Sequence, residues 1–268
     1  MQLSRLTSLI QEKRSVLCVG LDLDIHKLPK GFSRDQSDLK RFLQEIIDST
    51  RPYAVAYKPN TAFFESLGSA GWDLLADISD YIGDNHLKIA DAKRGDIGNT
   101  ARAYAKAFFE EMSYDAITLS PYMGYDSLEP FLEYDGKWAI VLGLTSNPGY
   151  EDVQMATLSD GRYLFEKVMN DLANKVPSDK MMFVVGATRS SLVKAARASA
   201  PDHFFLMPGI GAQGGDLKLS MENAANPSIG MLINASRSIM YASDQPDFAS
   251  KAADSARALQ VEMADFLH

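Results

Sequence analysis

The stretch LKIADAKRGDIGNTARAYAKAFFEEM, residues 87–112, reads as a buried strand that runs directly into an amphipathic helix. Its opening, LKIADAK (87–93), is short and largely apolar. Its continuation, TARAYAKAFFEEM, spaces apolar residues at three and four, as a helix with one buried face does. The same unit recurs on both sides. Apolar, β-rich runs stand at SVLCVGLD (15–22), YAVAYK (53–58), DAITLS (115–120) and WAIVLGLT (138–145). Three more follow: MMFVVGAT (181–188), HFFLMP (203–208) and IGMLINA (229–235). Helical patterns such as LKRFLQEIIDST, WDLLADISDYIG and RYLFEKVMNDLANKV lie between them. Strands buried on both faces and separated by helices imply parallel pairing with crossovers. Eight such units predict an α/β fold, a single (β/α)8 TIM barrel over residues 1–268, with a doubly wound open sheet as the alternative.

Composition narrows the class. The 268 residues are 46% hydrophobic and 23% charged, the balance of an ordinary globular protein. A chain of this size buries a large core without disulfides or metal. The single cysteine, Cys18, sits in an apolar run and reads as a small buried hydrophobe. With no signal-peptide stretch and no run of about 18 apolar residues, the expectation is a cytoplasmic protein with no membrane span. A net charge of −8 argues against nucleic-acid binding, but a phosphorylated small molecule needs only local cations and backbone N–H groups.

In a barrel, catalytic residues collect where strands end. Here those positions are Asp22, Lys58, Asp91 with Lys93, Thr145-Ser146, Pro208-Gly209 and Ser236-Arg237. The densest segment is DAKRGDIGNT (91–100). Residues two apart on a strand share a face, roughly 6–7 Å apart, so Asp91 and Lys93 point the same way. Gly95 would permit a tight turn, with Asp96 emerging from the strand end and Gly98-Asn99-Thr100 opening a helix. The bland alternative is a salt bridge followed by a helix start that Asp96 and Thr100 both cap.

MPGIGAQGGD (207–216) contains G-x-G-x-x-G at Gly209, Gly211 and Gly214. A Rossmann reading is weak, because that fingerprint belongs on the first βα turn and no acidic residue stands about 20 positions on. A phosphate cradle built after strands seven and eight fits better, with Arg237 adding a charged contact. A plain glycine turn stays open. The histidines His26, His86, His203 and His268 show no metal-ligand spacing, so no metal is expected.

At these residues the chain resembles the orotidine 5′-phosphate decarboxylase family. DAKRGDIGNTA is similar to its D-x-K-x-x-D-I-x-x-T signature. YKPNTAFFE (57–65), SPYMG (120–124), TSNPG (145–149), PGIGAQGGD (208–216) and NASRSIMYA (234–242) resemble its other blocks, in the right order, and most resemble the longer bacterial subgroup. The resemblance implies a Lys-Asp-Lys-Asp array of Lys58, Asp91, Lys93 and Asp96. It implies substrate contacts from Asp22, Asn60 and Ser146, and phosphate contacts around Pro208 from Gln213 and Arg237. It further implies a homodimer in which Asp96 and Thr100 complete the partner's site, with Ile97 packing near the base. The departure is Met240, where some relatives carry a tyrosine; Tyr241 could supply that hydroxyl, or the contact could be absent.

The implied reaction converts orotidine 5′-monophosphate to uridine 5′-monophosphate and CO2 without a cofactor, the last step of de novo pyrimidine nucleotide biosynthesis. Losing CO2 from C6 leaves a carbanion that the ring cannot delocalise, so fixed charge must stabilise it. Lys93 is the candidate for that charge and for the proton donor. Flanking carboxylates would keep it protonated against burial, with Lys58 balancing them. Loop 209–216 and the stretch after Ser146 are candidates for closing over the base. The rivals are another phosphate-binding barrel enzyme (a sugar-phosphate aldolase or a magnesium-dependent keto-acid decarboxylase) and a non-catalytic nucleotide-binding barrel.

Overall fold

The computed structural model describes residues 1–186, 190–209 and 217–267. Eight strands run in chain order: β1 (Leu17–Leu21), β2 (Ala56–Pro59), β3 (Leu87–Arg94), β4 (Ala116–Leu119), β5 (Trp138–Leu144), β6 (Met181–Val185), β7 (Phe204–Pro208) and β8 (Met231–Ala235). Every pair is parallel, and β1 closes on β8 with Cys18 opposite Asn234, so the sheet is a barrel and not an open doubly wound sheet. Each of the eight apolar runs gives one strand, trimmed at one or both ends in all but β3, while β2 and β3 reach one residue past their runs, to Pro59 and Arg94. β1, β6 and β8 are buried at every position, which is why their sequences are continuous apolar runs and not alternating ones.

Helices cover the outside by the spacing the sequence shows. Gln36–Thr50 buries Leu39, Phe42, Leu43, Ile46 and Ile47, one stripe at intervals of three and four. Each such side chain contributes roughly 1.5–3 kcal/mol by leaving water. Helix Leu3–Lys13 lies against the N-terminal ends of the strands. Lys13 Nζ donates to Ala54 O ahead of β2, and Trp138 Nε1 of β5 donates to Met1 O. No helix among the described residues is long and apolar enough to cross a membrane.

The helix after β3 departs from a uniform pattern. Gly98–Lys106 is α-helical, but Ala107–Glu111 widens into a π-turn, with Met112 N bonded to Ala107 O. The wider turn places the adjacent Phe108 and Phe109 both inside, the first against Trp72 and Tyr114, the second against Phe131 and Tyr134. A regular α-helix would splay neighbouring residues about 100° apart. Neither Asp96 nor Thr100 caps this helix: its N-cap is Ile97, without a side-chain bond, and Asp96 Oδ1 accepts the Ile97 backbone N–H. The left-handed residue of the turn is Gly98 (φ 56°), not Gly95.

Candidate active site

β3 loses its regular pairing where its charged residues begin. It advances from Ala90 to Arg94 while β4 advances only from Ile117 to Leu119, so Asp91-Ala92-Lys93 bulges out of the ladder. On the other side Asp91 is bridged to Asn60, just beyond β2. Lys93 sits at φ 47°, a left-handed conformation that a residue with a β-carbon adopts at a cost of about 1 kcal/mol or more. Simple alternation therefore predicts the shared face of Asp91 and Lys93 for the wrong reason. The bulge, not the pleat, brings the Lys93 ammonium to 2.6 Å from Asp91 Oδ1.

The other carboxylate oxygen, Asp91 Oδ2, receives the Lys58 ammonium at 2.7 Å. Lys58 and Asp91 are both buried, and each is held charged by the other. Burial works against the Lys58 ammonium, but the Asp91 and Asp22 carboxylates outweigh it and keep its pKa above the ordinary lysine value. Burial likewise works against the Asp91 carboxylate, and Lys58 and Lys93 together hold it well below the usual range. The result is a fixed plus-minus-plus triad on the ends of β2 and β3. The Lys93 side chain remains half exposed.

The triad forms one wall of a cavity of about 450 Å³. Leu142, Val184 and Leu206 supply apolar surface from β5, β6 and β7, and Ser146 and Pro208 also line the cavity. Gly186 holds Ser146 there by lacking a side chain: a β-carbon would come 2.9 Å from Ser146 Cβ and 3.0 Å from its backbone nitrogen. Gln154, which also lines the cavity, holds the same strand end. Its Oε1 accepts the Thr145 N–H and its Nε2 donates to Thr145 Oγ1, both at 2.8 Å.

Asp22 follows β1 beside Lys58, and its Oδ1 is buried with no hydrogen-bond partner among the described residues. Arg237 is exposed at the start of helix Arg237–Met240, directly after β8. Met240 is buried, and the Tyr241 hydroxyl is taken up elsewhere: it donates to Asp22 O at 2.8 Å and accepts the Asp24 N–H at 2.7 Å. Tyr241 thus anchors the loop after β1 instead of facing a phosphate. Gln213, Gly211 and Gly214 lie outside the described residues. Lys58, Asp91, Lys93, Ser146 and Pro208 come together around one cavity. Asp96 and Thr100 do not join them; among the described residues Asp96 forms no ion pair, Thr100 is exposed, and Ile97 is 49% exposed.

Three residues escaped the sequence reading. Thr118 of β4 donates to Asp91 Oδ1 at 3.0 Å and accepts the Lys93 backbone N–H at 2.9 Å. Asn234 of β8 leaves a second buried, unpartnered oxygen near Gly20 and Ser236. Gln154 is the third. A threonine and an asparagine inside apolar strands, and a glutamine ten positions beyond β5, carry no signal in spacing. Arg94 of the signature is structural: it pairs with Glu65 and lies over the Tyr104 and Phe108 rings. Among the described residues no three His, Cys, Asp or Glu side chains gather as a metal site. His86 and His203 are buried near the N-terminal ends of β3 and β7.

Residues 15–253 match the profile of the family described as orotidine 5′-phosphate decarboxylase / HUMPS. An orotidine 5′-phosphate decarboxylase of Phocaeicola vulgatus is 46% identical over 95% of this chain and 94% of its own length. The solved OMP decarboxylase of Leishmania donovani superposes with a TM-score of 0.81 at 37% identity, covering 97% of this chain and 99% of that one. The UMP synthase of the same organism, a longer chain, matches over 95% of this chain and 56% of its own, with 39% identity and a TM-score of 0.81. A closed eight-stranded barrel, a Lys-Asp-Lys triad at its C-terminal rim and identity that runs nearly end to end all agree, and the chain belongs to the orotidine 5′-phosphate decarboxylase family.

Proposed function

We propose that the rim triad carries out the decarboxylation of orotidine 5′-monophosphate to uridine 5′-monophosphate and CO2, with Lys93 as the proton donor. The observation that carries the assignment is Asp91 held between two ammonium groups, at 2.7 and 2.6 Å, on the wall of a cavity large enough for a pyrimidine nucleoside. With the base against the apolar surface of Leu142, Val184 and Leu206, its C6 carboxylate faces the triad. The C6–carboxylate bond breaks, CO2 leaves, and the electron pair stays on C6, where the Lys93 ammonium stabilises it. That ammonium then gives its proton to C6 and is reprotonated from water. Asp91 keeps Lys58 charged in a buried setting that would otherwise favour a neutral amine, and it pairs directly with the half-exposed Lys93 ammonium. No cofactor takes part in this scheme.

The same reading gives Ser146 the amide edge of the base and gives Asp22, with its unpartnered oxygen, and Asn60 the ribose hydroxyls. Arg237 and Gln213 hold the phosphate beyond Pro208. Asp96, Thr100 and Ile97 serve the partner's site in a homodimer. The exposed Ile97 supports that role. So do Tyr122 (87% exposed) and Met123 on the neighbouring loop, which joins the β3 loop through Ser120 N and Arg94 O. An apolar rim of this kind marks a surface that another protein covers. The compartment we assign is the cytoplasm, where the free, buried Cys18 stays reduced.

Ultraviolet absorbance of EDTA-treated protein mixed with orotidine 5′-monophosphate tests the chemistry. Wild type consumes the substrate and yields uridine 5′-monophosphate; Lys93→Ala loses at least about 10³-fold in kcat. Turnover that needs added metal, or that survives in Lys93→Ala, would sink the assignment. Mixing Lys93→Ala with Asp96→Ala subunits restores about a quarter of wild-type activity, because half the dimers are mixed and each has one intact site.

A further inference from the structure

The hydroxyl of Thr118 makes two bonds whose partners both belong to the triad. It accepts the backbone N–H of Lys93 at 2.9 Å and donates to Asp91 Oδ1 at 3.0 Å. That oxygen is the one the Lys93 ammonium also reaches, at 2.6 Å. The threonine is 1% exposed, so neither bond is shared with bulk water. The bulge explains why the hydroxyl is needed. On a regular strand the Lys93 N–H would pair with the neighbouring ladder, but pairing with β4 lapses between Ala90 and Arg94. Lys93 is also held at φ 47°, away from the conformations its side chain favours. A buried N–H without an acceptor lets such a strained segment relax back towards the strand.

We propose that Thr118 is a positioning residue for the decarboxylation: its hydroxyl locks the Lys93 backbone and Asp91 into one unit and so aims the Lys93 ammonium at the reacting carbon. The inference rests on the assignment of Lys93 as proton donor. Thr118 itself touches no reacting atom in this scheme. Its effect is on geometry, where a misplacement of about 1 Å costs on the order of 10²-fold in rate. A merely structural threonine would fill space with its methyl group and leave the hydroxyl dispensable.

The test separates hydroxyl from volume. Thr118→Ser and Thr118→Ala lose the same methyl group, and only serine keeps both bonds. The expected result is a kcat for Thr118→Ser within about threefold of wild type, and for Thr118→Ala a kcat lower by about 30–100-fold. KM and the affinity for uridine 5′-monophosphate, measured by calorimetry, stay within about twofold in both, since Thr118 lines the cavity beside the triad and the groups assigned to the base amide, ribose and phosphate are unchanged. Should Thr118→Ala not fold, the isosteric Thr118→Val takes its place against Thr118→Ser. Equal kcat values for the serine variant and its hydroxyl-free counterpart, with Lys93→Ala inactive, overturn the inference alone. A fully active Lys93→Ala overturns the donor assignment, and the inference with it.

Discussion

The two ends of the barrel each draw a lysine out of water, Lys58 fully and Lys13 in part, and they treat its charge in opposite ways. At the C-terminal rim Lys58 is buried against a carboxylate, 2.7 Å from Asp91, and its ammonium is stabilised beyond its ordinary value. At the N-terminal rim Lys13 Nζ donates to three neutral acceptors: Arg51 O at 2.6 Å, Ala54 O at 2.8 Å and His86 Nε2 at 2.8 Å. There burial dominates, and the Lys13 pKa falls to about 8. His86 is pushed down as well, to about 4, by burial first and then by the Lys13 charge. Its Nε2 faces the Lys13 ammonium, and its Nδ1 has no partner among the described residues. Desolvation acts on both lysines; the carboxylate decides the sign. One end holds its charges in ion pairs, and the other ties helix Leu3–Lys13 to the strand ends through hydrogen bonds.

Removing the carboxylate should make the first end behave like the second. Asp91→Asn leaves two ammonium groups facing an amide, one of them buried. We expect kcat to fall by at least about 10³-fold. We also expect a stability loss of roughly 3 kcal/mol in urea denaturation, the penalty for an uncompensated buried charge. A variant that keeps its stability and a tenth of its activity would show that Asp91 does not sustain the triad.

Acid tests the other end. The folded-state pKa of His86 is depressed from 6.5 to about 4, so between those values the unfolded chain binds a proton that the folded chain excludes. Stability from this group is therefore complete above about pH 6.5 and is lost as pH falls towards 4, by about 2–3 kcal/mol. His86→Gln retains an acceptor for Lys13 but does not titrate. Its denaturation midpoint should be flatter than wild type between pH 7 and 4.5, and parallel curves would refute the role given to His86. The smallest effect belongs to Lys13→Met, which removes bonds to two backbone carbonyls. It should cost about 1–2 kcal/mol of stability and leave kcat within about twofold of wild type. A large loss of activity would mean that the two ends are coupled.

The strands illustrate what could be read in advance. Runs such as MMFVV and MLINA are apolar throughout because both faces are buried, and eight of them separated by helical spacing leave little besides a barrel. Lys58, Asp91, Lys93 and Ser146 were legible for a related reason: a charged or polar residue closing a buried strand has to be explained by a partner or a ligand. Thr118 was not, because threonine is an ordinary strand former and its use depends on a neighbouring strand slipping by two residues. Gln154 and Gly186 meet the end of β5 from two other elements, which no local pattern records.

Period and patterning, which act over a few residues, determined the barrel, its strand order and the end at which charges gather. The tertiary structure alone decided how those charges meet. It put the bulge in β3, turned Lys93 into the left-handed region, drew Asp91 between two ammonium groups and bound the Tyr241 hydroxyl to the loop after β1. Apart from the Asp91–Lys93 pair, the contacts that build this rim join residues 25 to more than 200 positions apart, and hydrogen bonds and ion pairs are set by ångström distances in space that sequence spacing does not encode.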